Sequence, residues 1–218
     1  MAKKTTQTLN SAAVKLSDAD AAESPDDRSL LARVRARAPV RSERRHNSEL
    51  FDNALLELLA RQSFDKITVR HICAEAGLSE GTFFRYHYDR EALLHHVSRE
   101  TLDLLLEPLL ERVPGPDTFR KMCDHIDASR AKSRALLTGG AQGILRDAYL
   151  QAARALGERS RVRSWLSPDL AVSCRALLIF EATAWWLKMD TPVETCEDMA
   201  ALLDRLVNAA TAGWREGK

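Results

Sequence analysis

Thr68-Val-Arg-His-Ile-Cys-Ala-Glu-Ala-Gly-Leu-Ser-Glu-Gly-Thr-Phe-Phe-Arg-Tyr-His87 decides how this chain is read. It reads as two short helices joined at Gly77–Leu78–Ser79. Thr68 suits an N-cap or first-turn position, and Ile72, Cys73 and Ala76 form an apolar face. Gly77 can take the left-handed conformation that a tight turn needs, and Leu78 plugs between the helices. Ser79 caps the second helix, Glu80 to about His87, and turns its positive dipole end outward. Such a helix-turn-helix lays its second helix in the major groove of DNA. The same shape also occurs as a plain packing unit, so the flanking sequence must decide.

Upstream, Leu50, Ala54, Leu55, Leu58 and Leu59 recur at helical spacing from about His46 and stop at Gln62–Ser63–Phe64. Downstream, Asp89 opens a fourth helix running to about Val113, with Pro108 expected to disturb its last turns. Pro114–Gly115–Pro116 is the clearest break. Further helices are expected at roughly 117–129, 131–138, 142–157, 168–189 and 194–214. The expected organisation is a disordered tail with an Arg-rich arm (1–45), a DNA-binding domain (46–95), a linking helix (96–114) and a C-terminal domain (115–218). The arm carries Arg28, Arg33, Arg35, Arg37, Arg41, Arg44 and Arg45 against Glu43. It reads either as a solvated helix face or flexible linker, or as a basic arm that reaches phosphates or an adjacent minor groove.

The 218 residues are 45% hydrophobic and 29% charged, which excludes a wholly disordered chain and a disulfide-dense miniprotein. Ala, Leu, Arg and Glu dominate, Gly and Pro are few, and the fold class is all-α. The formal net charge of +1 says nothing for nucleic acid or membrane. No run of about 18 uncharged apolar residues is present, so no membrane span is expected. The best candidate, Ala176–Leu187, is interrupted by Glu181. Met1–Leu16 lacks the apolar region of a secretory signal, and Cys73, Cys123, Cys174 and Cys196 lack metal-ligand spacing. These features point to a cytoplasmic protein with reduced thiols.

Residues 46–100 resemble the N-terminal domain of the TetR family of bacterial transcriptional repressors. The resemblance rests on Phe64, Ile67–Thr68–Val69, Ile72, Ala76–Gly77–Leu78–Ser79, Gly81–Thr82–Phe83 and Asp89–Arg90–Glu91–Ala92–Leu93, in order and at matching spacing. It implies an N-terminal three-helix DNA-binding domain and a C-terminal helical domain that dimerises and, in most members, binds a small effector. Thr68, Arg70, Ser79, Glu80, Gly81, Thr82, Phe84, Arg85, Tyr86 and Arg90 then fall at the DNA face. Arg70 would read a guanine or hold a phosphate. Gly81 lets the backbone approach the groove, and Thr82 can touch a base edge or a thymine methyl. Arg85 and Tyr86 sit where the family contacts bases or phosphates. Arg90 replaces the usual lysine, a phosphate clamp. Phe84 stands where tyrosine is common, removing a hydroxyl, and His87 stands at a common core phenylalanine, either as a satisfied core histidine or as a mark of altered packing.

The resemblance implies a homodimeric repressor on a palindromic operator in double-stranded DNA, released by a small-molecule effector that the sequence does not name. No catalytic residue, metal site or cofactor is expected: HExxH, GxSxG and phosphate-cradling loops are missing, and adjacent His95–His96 point apart on a helix. Glu181 reads as a ligand carboxylate or as one half of an ion pair with an arginine. The helix at 168–189, apolar nearly all round, needs cover, and a second copy of the chain is its natural source. Two other readings remain: a TetR-like regulator governed by a protein partner, and a helical small-molecule-binding protein or enzyme. The combination of Arg70, Thr82, Tyr86 and Arg90 on one short motif argues against the last.

Overall fold

A computed structural model describes residues 25–111, 113–157, 166–189 and 195–211, with side chains from Glu43 onward. All regular structure among them is helical: α1 (Pro25–Arg61), a 3-10 turn (Phe64–Lys66), α2 (Val69–Ala76), α3 (Glu80–Phe83), α4 (Arg90–Leu110), α5 (Pro116–Ala128), α6 (Arg130–Thr138), α7 (Gln142–Gly157), α8 (Pro168–Lys188) and α9 (Cys196–Thr211). The chain divides into two units, Met1–Arg44 and Arg45–Lys218. The expected tail at 1–24 lies outside the described residues. The rest of the expected basic arm is helical, since α1 starts at Pro25 rather than near His46. Proline suits a first helical position, and Ala, Leu and Arg are good helix formers. Apolar periodicity, the signal used for the start, is missing there, so it marks only where packing begins.

Within the second unit two apolar cores form. One gathers Phe51, Leu55 and Leu59 of α1, Ile72 of α2, Phe83 of α3 and Leu93 and Val97 of α4. It also takes in Leu136 of α6, Ala141 of the following turn and Leu145 of α7, beyond the expected boundary at Pro114–Pro116. The other core is built by α4, α5, α7, α8 and α9, with Leu137 of α6, around Phe119, Met122, Tyr149, Phe180, Trp186 and Leu203. The α6–α7 corner meets the first core through its backbone. Gly140 N–H donates to Leu59 O (2.9 Å), and Phe64 N–H donates to Gly140 O (3.1 Å). A Cβ on Gly140 would lie 2.0 Å from Gln62 O, so only glycine permits this approach.

The far end of α4 is held by the second core. The last carbonyls of a helix have no partner within it and form the negative end of its dipole. Here Arg175 Nη2 donates to Pro108 O (3.0 Å) and Glu111 O (3.2 Å), and, one turn further in, Tyr149 Oη donates to Leu105 O (2.9 Å). Arg175 is only 2% exposed, and burial lowers its pKa from the usual arginine value. The α4 terminus supplies the partial negative charge that makes this burial tolerable.

Helix α8 bears on the expectation of no membrane span without overturning it. Taken as a whole helix it is long and apolar enough to cross a bilayer (mean hydropathy 1.4), although 61% of that window is buried by protein here. The sequence rule that asked for an uncharged run passed over it, because a few charges are tolerated by helix-averaged hydropathy. Nor is α8 wrapped on all sides. Trp186 is buried (1% exposed) while Trp185 is 44% exposed, and Leu170 and Leu177 are exposed as well. Glu181, on the exposed side, pairs with Arg146 at 3.4 Å.

Candidate DNA-binding face

The helix pair is shaped by caps at each start and a glycine at the turn. Thr68 Oγ1 accepts from His71 N–H (3.2 Å), while Thr68 N–H donates to His71 Nδ1 (3.4 Å), a capping box that uses histidine in place of glutamate. α2 stops at Gly77, which is left-handed (φ 67°), and Leu78 N–H closes the turn on Cys73 O (3.0 Å). Ser79 Oγ then accepts from Thr82 N–H (3.1 Å) to start α3. The α-helical part of α3 is four residues, shorter than the expected Glu80–His87. From Phe84 the chain tightens: Arg85 N–H bonds Thr82 O and Tyr86 N–H bonds Phe83 O, three-residue spacings of the 3-10 kind.

Phe83 anchors this pair, fully buried and edge-on to Phe51 of α1 with ring centroids 5.3 Å apart. Everything that alternates with it faces outward. Arg70, Ser79, Glu80, Gly81 and Arg85 are exposed, Thr82 is half-exposed, and Phe84 is 57% exposed. Ser79, Thr82 and Arg85 form one row: Ser79 Oγ and Thr82 Oγ1 are 3.0 Å apart, and Arg85 Nη2 donates to Thr82 Oγ1 (3.2 Å). This row offers a guanidinium and two hydroxyls on the surface of a helix small enough for a groove. Glu80, acidic at the start of α3, could not hold a phosphate but can accept from a cytosine amine. Exposed Phe84 can contact a thymine methyl or a sugar.

Three residues of the expected DNA face engage the protein itself with their polar groups. Thr68 uses its hydroxyl for the cap of α2. Tyr86 is half-buried, with its ring 6.2 Å from Phe51 and its hydroxyl accepting a long bond from Asn47 Nδ2 (3.5 Å). Arg90 turns its guanidinium toward the protein: Nη1 donates to the carbonyls of Phe64 (2.9 Å), Asp65 (3.3 Å) and Ile67, and Nε pairs with Glu91 (2.9 Å). Tyr88, not singled out in the sequence, is 87% exposed beside this face.

Behind the face, His87 is buried between Phe83 and Phe51, and its Nε2 has no hydrogen-bond partner among the described residues, so it is a core histidine left unsatisfied there. Burial, with His96 nearby, lowers its pKa below the usual imidazole value. Cys73 is also buried; burial and the nearby Glu80 push its thiol up, leaving it an inert apolar filler. Among the described residues no three His, Cys, Asp or Glu side chains are arranged to hold a metal ion.

Residues 53–97 match the family model for bacterial regulatory proteins of the tetR family. A solved TetR transcriptional regulator from Streptococcus agalactiae 2603V superposes with a TM-score of 0.53 at 19% identity, covering 81% of this chain and 98% of that one. A tetR-family regulator from Streptomyces coelicolor gives 0.46 at 21% identity over 75% of this chain and 80% of that one. No curated protein matches the sequence. The α2–α3 pair therefore belongs to a helix-turn-helix DNA-binding domain. Residues 53–97 thus carry a DNA-binding domain of the kind found in tetR-family regulators, within an all-α chain that shares the fold of the first of these structures.

Proposed function

We propose that this chain is a homodimeric, cytoplasmic repressor that binds a palindromic operator and leaves it when a small-molecule effector binds. The supporting observation is the α2–α3 face, which leaves Arg70, Gly81, Phe84 and Arg85 exposed on helices otherwise fixed by caps and a buried phenylalanine. Arg70 reads guanine or holds a phosphate, Thr82 and Phe84 contact base edges or methyls, and Arg85 holds phosphate. Exposed Leu170, Leu177 and Trp185 on α8 and Leu206 on α9 supply the apolar surface for a second copy. Two-fold symmetry then demands symmetric half-sites.

Release follows from population shift: an effector that prefers one setting of α4 changes the spacing of the two recognition helices. A cleft of about 1040 Å³ between α1 and α5–α6, lined by Leu56, Ala60, Ala128, Arg134 and Ala135, is suitably placed to receive such a ligand. Selection from a random duplex pool, followed by titration of the selected and random duplexes, tests the reading. Thr82→Ala or Arg70→Ala should cost about 1–3 kcal/mol and relax preference at particular base pairs. Equal affinity of the unmutated protein for selected and random duplexes would overturn it.

A further inference from the structure

We propose that Arg90 is a positioning residue, fastening the turn that carries the helix-turn-helix, and is not a phosphate clamp. The inference rests on the DNA-binding reading only for its consequence, since the fastening itself is a property of the free protein. Arg90 is the first residue of α4, where a cation opposes the helix dipole. That placement needs compensation, and the structure shows it. Nη1 donates to the carbonyls of Phe64, Asp65 and Ile67, Nε bonds Glu91, and the guanidinium carbon sits 4.7 Å from the centre of the Phe64 ring. Two of the carbonyls belong to the 3-10 turn and the third to Ile67, its C-cap; the next residue, Thr68, is the N-cap of α2. Arg90 thus ties the first residue of α4 to the start of α2.

The same turn is gripped from its other side. Phe64 N–H donates to Gly140 O, and Gly140 N–H donates to Leu59 O at the end of α1. Phe64 is the shared element: its N–H faces the α6–α7 corner, and its carbonyl and ring face Arg90. Both anchors lead back to helices that also contribute to the second core or border it. A planar guanidinium can serve neighbouring carbonyls and stack on the ring together; a lysine ammonium cannot stack flat or present that fork. Arg90 Nη2 has no protein partner among the described residues, so the alternative, a phosphate contact, is specific enough to test.

Arg90→Lys keeps the charge and loses the fork; Arg90→Met keeps the packing and loses both. Two readouts are taken on the full chain: amide hydrogen exchange at Phe64 and Ile67 without DNA, and the dependence of log K on log salt for a selected duplex. Positioning predicts faster exchange at both amides in both variants, an affinity loss on the order of tenfold in each, and an unchanged salt slope. A clamp predicts unchanged exchange, near-normal binding by Arg90→Lys, and a slope shallower by about 0.9 per subunit in Arg90→Met. Those results would overturn the proposal. Gly140→Ala, which presses the same turn from the other side, should reproduce the faster exchange and the slope-neutral loss, and guards against misfolding of Arg90→Met. If the unmutated chain selects no duplex, the DNA-binding reading fails while exchange still decides the fastening: unaltered rates in Arg90→Lys sink it.

Discussion

The two apolar cores of the Arg45–Lys218 unit solve the same packing problem with different materials. The first uses helices of eight and four residues for its reading face, α2 and α3. Helices this short are not stable alone, so each depends on a cap, a glycine stop and one or two buried anchors. The second core uses α5, α7, α8 and α9, of 13 to 21 residues, which bury whole faces and have few side-chain caps. Short helices are specified by local chemistry, long ones by which face meets which neighbour.

That contrast suggests where each region breaks. The largest effect is expected at the exposed side of α8. Trp185→Arg places a charge on the stripe assigned to the partner copy and leaves buried Trp186 untouched. Sedimentation should show monomers, and operator affinity should fall by about 10²–10⁴ as two linked half-sites become one. A monomeric unmutated protein at micromolar concentration would remove the basis for this expectation.

Leu136→Ala sharpens the comparison itself. Leu136 belongs to α6 yet is fully buried in the first core. A cavity there should cost about 2–5 kcal/mol in denaturant unfolding, and the loss should be felt by the DNA-binding helices. Exchange protection at Ile72 and Phe83 is the measurement; if it is unchanged while α8 loosens, the first core does not depend on α6. Next in size is removal of residues 1–45. If three or four of the seven arginines engage phosphates, affinity falls several-fold to a hundredfold at low salt and the slope becomes shallower, each lost contact contributing about 0.9. The ranking of operator variants should hold, because phosphate contacts do not specify sequence. Identical slopes would show that α1 before His46 does not touch DNA.

Legibility followed the same division. Thr68, Gly77, Ser79 and Asp89 announce caps and turns through their own chemistry, so the helix-turn-helix could be placed from residues alone. The later helices were also near their expected bounds, because Pro116 and Pro168 begin two of them and Gly139–Gly140 ends a third. The partners of those helices were not legible. Nothing local in Leu136, Ala141 or Leu145 says that they complete the first core. Nor could the fate of Arg90 be read, because an arginine at a helix start looks alike whether it meets phosphate or carbonyl. Only the position of the Phe64 turn separates the two.

The smallest expected effect concerns His87, the one point where the first core carries an unpaired polar atom in its aromatic cluster. Phe51 from α1, Phe83 and Tyr86 from the α3 region and His96 from α4 surround the ring, and Asp52 stands near His96 at 3.8 Å. Burial, then the neighbouring His96, lowers the His87 pKa, so the folded protein holds it neutral at a pH where the unfolded chain is protonated. Below the ordinary imidazole value the unfolded state binds more protons, and stability falls with pH until the folded-state pKa is passed. Asp52 acts in the opposite sense in a lower window. Its pKa is raised, chiefly by burial, so the folded protein takes up that proton first and gains stability as pH falls toward the carboxylate range. His87→Phe removes both the unpaired Nε2 and the first of these slopes. It should raise stability at neutral pH by roughly 1 kcal/mol, the low end of the cost of an unsatisfied buried group, and by more at pH 5.5. Thermal melts of the two proteins at pH 7.5 and 5.5 measure the difference. A gap in Tm that does not widen on acidification would mean that the imidazole is already paired in solution.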